Sequence, residues 1–529
     1  MTTSSTFANA QSSQWSSSQG GSAQLQSEKR VQVVDQEQQE TDAEVEGWLL
    51  SRPDDGIGEW QVQKESDKIV TVIADDKTRI DRGVPPVDVW IKVKGLRQSN
   101  GSILAVRIRV EDYKVDELVV RLTDNDVLSS TVAARYGLIP VATLLQSGRI
   151  YLFRSTSSDS ESDHVLEQIH QANDPDIVWA EPNYEGSAPG GNPFKIWGWG
   201  GKDPSGYENQ FAFEQVNLDL AQQQYKGDGI TIAVLDTGVA LDHYALKDHL
   251  VPGWDMVADD SDPQDEGPGF GWGHGTHVAG IVAHIAPNAH ILPIRVLDAA
   301  GRGNTFTLAY AIEWAVQQHA NVINLSLGTP YNSQVLHDAV SHAIGQGVVI
   351  VAAAGNDNRS QVQYPAAYEG VISVSAVDSA NHKASFANYG SWIDLSAPGV
   401  GITSTITGTQ GLGFASWSGT SMATGFVSGA AALVEHKFGT TDPTFVTNRL
   451  VETGVHINAA GSVNMGPLLN ISAALDLGSG QPTETPTPSA TPQPTETHTP
   501  HTPTPQVTPS PVATTPESSQ TLYLPSVMR

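Results

Sequence analysis

The stretch "ITIAVLDTG", residues 230–238, is an apolar run, interrupted only by Thr231, that ends on Asp236, Thr237 and Gly238. A strand with one wet face alternates apolar and polar residues, so a continuous run of this length reads as a strand covered on both sides. "HILPIRVLD" (290–298), "ANVINLSLG" (320–328), "GVVIVAAAGN" (347–356) and "GVISVSAV" (370–377) share that texture. Between them, "TFTLAYAIEWAVQQ" (305–318) and "VLHDAVSHAIGQG" (335–347) have helical spacing. The alternation predicts an α/β fold over residues 207–478, with a doubly wound, mostly parallel sheet. Catalytic groups and ligands in such sheets sit just beyond the carboxyl ends of the strands, which is where Asp236 falls.

The flanks read differently. Residues 1–44 are rich in Ser, Gln and Glu and too poor in large apolar side chains to offset the entropy of ordering, so disorder is expected. Residues 45–112 hold short alternating strands, with the hairpin dipeptide Asn100-Gly101 between two of them, and predict a small all-β, barrel-like domain. Residues 113–186 alternate strand-like and helical stretches and predict a compact α+β domain ending in "DIVWAEPNY". The Gly- and Pro-rich residues 187–206 read as an exposed linker. Residues 479–520 form a Pro/Thr tract that reads as an extended stalk, and residues 521–529 as a short apolar tag or a plain disordered end.

Composition removes several classes of function. A formal charge of -29 disfavours nucleic acid and anionic membranes as partners. With no cysteine there is no disulfide, thiolate metal site or cysteine nucleophile. No apolar run is long enough for a transmembrane segment, and no secretory signal is readable in the first residues.

Three motifs carry the chemistry. "VLDTGV" contains Asp236; an aspartic protease would need a second such carboxylate, and none is present. "GHGTHVAG" contains His274 and His277, spaced three apart but without the HExxH pattern of zinc proteases. "GTSMA" puts Ser421 at the start of an apolar helix, where backbone N–H groups can serve as a cap or stabilise an oxyanion. An acid, a histidine and a serine at strand or helix ends are what nucleophilic acyl transfer needs.

In order and sequence these motifs resemble those of the subtilisin-like serine proteases. The resemblance spans residues 207–478 and implies a triad of Asp236, His274 and Ser421. It also implies an oxyanion-hole amide at Asn356 and a peptide channel lined by Gly301, Gly303, Ser326, Leu327, Gly328, Ala354 and Gly355. Gln363 aligns near the floor of the primary specificity pocket. Family members are often made as zymogens, so residues 113–186 are expected to be a ferredoxin-like prodomain, an intramolecular inhibitor released by a cut between Glu185 and Tyr207. No cofactor is expected for the chemistry. Structural calcium is an open expectation: the loop that holds the family's tight site is missing, with Ala245 where its assisting aspartate would stand. Asp259, Asp260, Asp262 and Asp265 form either a second site or simply a solvated acidic loop. A further departure is Gly425-Phe426, where the family's serine helix usually has a proline and a histidine.

The sequence therefore predicts an extracellular or cell-surface serine endopeptidase acting on protein or peptide substrates. A peptide-binding module without catalysis and a protease that cuts only itself are the alternatives.

Overall fold

The computed structural model describes residues 43–64, 68–80, 84–85, 90–110, 113–123, 128–144, 149–156, 161–188, 198–457 and 463–477. All of these belong to one compact unit, Met1–Gly480. The expectations for residues 1–42, the central part of the linker, the Pro/Thr tract and the terminal tag fall outside the described residues.

A seven-stranded sheet organises the C-terminal part of this unit. Its strands lie in the order Trp254–Asp255, His290–Arg295, Thr231–Asp236, Val322–Leu325, Val349–Ala353, Val371–Val377 and Leu395–Pro398, and every neighbouring pair is parallel. Strand periodicity sorts the side chains between two cores. Ile232 and Val234 point into one, and Ala233 and Leu235 into the other. The first core is filled from the helices His274–Ile285 and Thr420–Phe438, the second from Thr305–Gln317 and Gln334–Gly345. The Thr420–Phe438 helix is buried from Thr420 through Glu435, as its nearly all-apolar sequence requires. From Thr231–Asp236 the chain builds strands to one side and then the other, so Asp236 ends a strand at the point where the winding reverses.

The two helices of the first core lie close together. A Cβ on Gly425 would come within 3.1 Å of Ile281, and one on Gly429 within 2.6 Å of Ile285. Gly425, a departure at the level of sequence, has a packing reason here: Ile281 takes up the space that a side chain would need.

Residues 113–187 form a second layer. In chain order it runs strand Tyr113–Leu122, helix Ser129–Tyr136, strands Leu138–Thr143 and Ile150–Ser155, helix Glu161–Ala172 and strand Ile177–Ser187. Strand Ile177–Ser187 lies outermost of the four, next to Tyr113–Leu122, and then pairs antiparallel with Arg302–Asn304 of the C-terminal part. Leu118 and Val120 face this layer's own helices, whereas Val119 joins the core of the Thr305–Gln317 and Gln334–Gly345 helices. Further upstream, residues 43–110 form a six-stranded sheet in which Ile69–Ala74 pairs with Ile103–Val110 around a core centred on the fully buried Trp60. No helix among the described residues is long and apolar enough to cross a membrane.

Glu435 lies at the end of the buried stretch of its helix, 1% exposed, and among the described residues no donor meets either carboxyl oxygen in good hydrogen-bond geometry. Burial outweighs the neighbouring Asn321 amide and pushes the carboxyl up to about 8 from an ordinary 4.5. The folded state therefore holds a proton that the unfolded chain has already released. Stability from this group is complete below pH 4.5 and is lost as pH rises towards 8. Denaturant titrations between pH 5 and 8 should show a loss of about 2 to 4 kcal/mol that is absent in Glu435→Gln.

Candidate active site

At the end of its strand Asp236 is fully buried, and its Oδ1 accepts the Thr237 N–H at 2.7 Å. The same oxygen lies 2.7 Å from His274 Nδ1. The contact needs the strand end and the helix start to touch. A Cβ on Gly275 would stand 2.2 Å from the Gly238 carbonyl oxygen and 3.0 Å from Asp236 Cβ, so only glycine fits. With Nδ1 committed, the imidazole presents Nε2, which has no hydrogen-bond partner among the described residues.

Asp265 holds the start of the histidine helix in place. Its Oδ1 accepts the Gly273 N–H at 3.0 Å, and its Oδ2 accepts the Thr276 N–H at 3.2 Å and the Thr276 hydroxyl at 2.6 Å. Its burial, opposed by these donors, pushes its carboxyl up to about 7. Both oxygens face inward, which does not suit a calcium ligand. Asp260 Oδ1 accepts the Asp262 N–H at 2.9 Å, and among the described residues no three His, Asp or Glu side chains are grouped as metal ligands. Among the four loop aspartates, Asp265 is thus the one whose carboxylate is committed to the helix start. His277 turns away from His274: its Nε2 meets the Ala415 carbonyl at 3.0 Å, and its ring stacks on Trp417. Burial lowers its pKa to about 3, so it is a neutral packing group.

Ser421 sits in the first turn of its helix, with Oγ 3.4 Å from the Ser326 carbonyl oxygen, and Ser326 Oγ returns a hydrogen bond to the Ser421 carbonyl at 3.0 Å. Asn356 is locked to the same turn. Its Oδ1 accepts from the Thr420 N–H at 2.9 Å and the Thr420 hydroxyl at 3.0 Å, which leaves Nδ2 against Gly419. Asp236, His274, Asn356 and Ser421 thus come from four separate segments to the carboxyl edge of one sheet.

The end of strand Ile177–Ser187 lies between two short segments, residues 301–304 and 326–329, where the resemblance expects the peptide channel. Gly186 faces Gly303. Ser187 exchanges hydrogen bonds with Gly328 at 3.1 and 2.9 Å, and the Ala188 N–H donates to the Gly301 carbonyl at 3.0 Å. A small apolar cavity of about 20 Å³, lined by Leu297, Leu308, Leu327 and Tyr364, opens beside Gly186. Leu327 and Ala354 are buried. Gln363 lies between Gly355 and Gly328, within 3.1 Å of where either would carry a Cβ, and bonds Asp357 Oδ2 at 3.1 Å.

Sequence reading missed two residues that fix this strand. Glu181 accepts from the Ser333 hydroxyl and the Gln334 and Val335 N–H groups at 2.8 to 2.9 Å, at the start of helix Gln334–Gly345. Asn183 Oδ1 accepts the Phe306 N–H at 3.0 Å, at the start of helix Thr305–Gln317. Their spacing of two puts both on one face of the strand, which is the signal that "WAEPNY" carried.

Asp265→Ala should leave three buried donors without an acceptor. Urea unfolding in a Ser421→Ala background is expected to show a loss of about 2 to 4 kcal/mol relative to Ser421→Ala alone.

Comparison with known proteins follows the same span. The subtilase family profile matches residues 227–471, which contain Asp236, His274, Asn356 and Ser421. A thermophilic serine proteinase of Bacillus sp. (strain AK1) is 42% identical over 273 residues, covering 50% of this chain and 64% of that protein. Subtilisin DY of Bacillus licheniformis is 40% identical, over 49% of this chain and 96% of its own length. The crystal structure of fervidolysin from Fervidobacterium pennivorans, a keratinolytic enzyme related to subtilisin, superposes with a TM-score of 0.60 at 25% identity. That superposition covers 69% of this chain and 61% of fervidolysin, so it reaches beyond the family span. With two-fifths identity across almost the whole of subtilisin DY, this chain belongs to the subtilase family of serine endopeptidases.

Proposed function

We propose that this protein hydrolyses peptide bonds through Asp236, His274 and Ser421, and that it is made as a zymogen that processes itself. The observation that carries the reading is the 2.7 Å Asp236–His274 bond, at the edge of a channel whose two walls already hold a peptide strand. Ser421 Oγ attacks the scissile carbonyl while His274 Nε2 takes its proton, then returns it to the leaving amine. Asp236 fixes the tautomer and stabilises the imidazolium as it forms. Charge developing on the carbonyl oxygen is met by Asn356 Nδ2 and the Ser421 N–H, donors whose positions Thr420 and the helix set in advance. The acyl-enzyme is then hydrolysed by the reverse proton transfers. Side chains and backbone supply every group in this sequence.

On this reading residues 113–186 are the ferredoxin-like prodomain and inhibitor. Glu181 and Asn183 complete two helix N-termini, and Arg121 pairs with Asp338 at 2.6 Å, so the segment binds a broad surface as well as the channel. An extracellular or cell-surface site of action fits a protease that is kept inhibited until released.

The full chain and its Ser421→Ala variant, followed by intact mass and by a fluorogenic peptide, test the reading. The parent should be cut between Glu185 and Tyr207 and then hydrolyse peptide, and the variant should do neither, with a rate loss of about 10⁵- to 10⁶-fold. Cutting without peptide turnover would identify a protease limited to itself. A folded parent with neither activity would leave only peptide binding. Glu181→Ala should weaken the released inhibitor's hold by about 1 to 3 kcal/mol, read as a higher inhibition constant of the released segment.

A further inference from the structure

The strand in the channel makes one more contact upstream of its main-chain pairs. Glu185 faces Asn304, and its carbonyl accepts the Thr329 hydroxyl at 3.2 Å. One residue earlier, Tyr184 lays its ring on Tyr331, with centroids 4.7 Å apart and planes 1° from parallel. Tyr331 follows the channel wall directly, and its N–H donates to Thr329 Oγ1 at 3.4 Å. It also packs against the core of the N-terminal barrel, alongside Val70, Ile80 and Val84. Thr329 thus binds both the main chain of the strand and the backbone of Tyr331, which sets the stacking distance without help from the rings.

We infer that Tyr331 is a distal aromatic subsite of the channel, and that substrates with Tyr, Phe or Trp at the matching position are preferred. The inference rests on the reading above, that a substrate lies in the register of residues 184–188. In an antiparallel ladder the residue facing Ser326 is two beyond the one facing Gly328, and the Ser326 carbonyl is 3.4 Å from Ser421 Oγ. The acyl residue of a substrate therefore stands two places beyond the position of Ser187, and the residue on Tyr331 five places before the acyl residue. Offset rings at this distance attract through their quadrupoles beyond the area they bury, and the edge-strand pairing in between costs nothing extra for either occupant.

The test uses the full chain after it has processed itself, with two chromogenic hexapeptides. One is Tyr-Glu-Gly-Ser-Ala-Phe p-nitroanilide, and the other carries Ala in place of its first Tyr. The quantity read is the ratio of kcat/KM for the two peptides within each enzyme, so a general change in activity cancels. The parent and Tyr331→Phe should prefer the Tyr peptide by about three- to ten-fold. Tyr331→Ala and Tyr331→Leu should bring the ratio close to one, Leu serving as the variant that keeps apolar bulk. Equal rates on both peptides in the parent, or a preference that survives in Tyr331→Leu, would overturn the subsite and leave the endopeptidase reading intact. A processed, folded parent that hydrolyses neither peptide would overturn both.

Discussion

One close approach governs the rest of this molecule: the end of the central strand against the start of the histidine helix. The 2.7 Å bond between Asp236 and His274 exists because Gly275 has no side chain and the Gly238 carbonyl can fill that space. Gly425 and Gly429 do the same for the crossing of the histidine and serine helices, where Ile281 and Ile285 occupy the room. Ser421 then reaches the same edge of the sheet because its helix is buried along most of its length and cannot shift without opening the core. The geometry of the polar groups is thus set by apolar packing several residues away.

Carboxylates and amides at helix starts recur as the joints of this fold. Asp265 ties down the histidine helix, Glu181 the Gln334–Gly345 helix, and Asn183 the Thr305–Gln317 helix. Each meets backbone N–H groups that have no partner within their own helix. The first joint lies within the subtilase domain and is permanent. The other two cross to it from residues 113–187, so a segment that is proposed to leave uses the same chemistry that holds the domain together. Burial, with a nearby carboxylate in each case, raises the pKa of both Asp265 and Glu181 against the pull of their donors.

On the proposed reading, the channel combines two kinds of recognition. Gly186, Ser187 and Ala188 are held through their main chain, which any peptide can offer. The proposed discrimination falls to what substrate side chains would meet: the cavity beside Gly186, Gln363 between Gly355 and Gly328, and the Tyr331 ring further out.

The sequence by itself determined the layer order, because a strand buried on both faces must be predominantly apolar without a polar alternation, and residues 230–238 and their four counterparts are. It also marked Asp236, His274 and Ser421 as candidates, since each lies in a local motif whose glycines announce a close approach. Tertiary structure alone decided what the neighbouring groups do. Asp265 read as one of four acidic loop residues, ligand or merely solvated, and both its oxygens turn inward to a helix start; His277 read only as a histidine three residues from His274, and its ring lies against Trp417. Tyr184 and Tyr331 lie far apart in sequence, and no local pattern links them. Composition and periodicity report which residues are buried, but the direction of a polar side chain depends on unpaired donors brought from other segments, and only the folded chain supplies those.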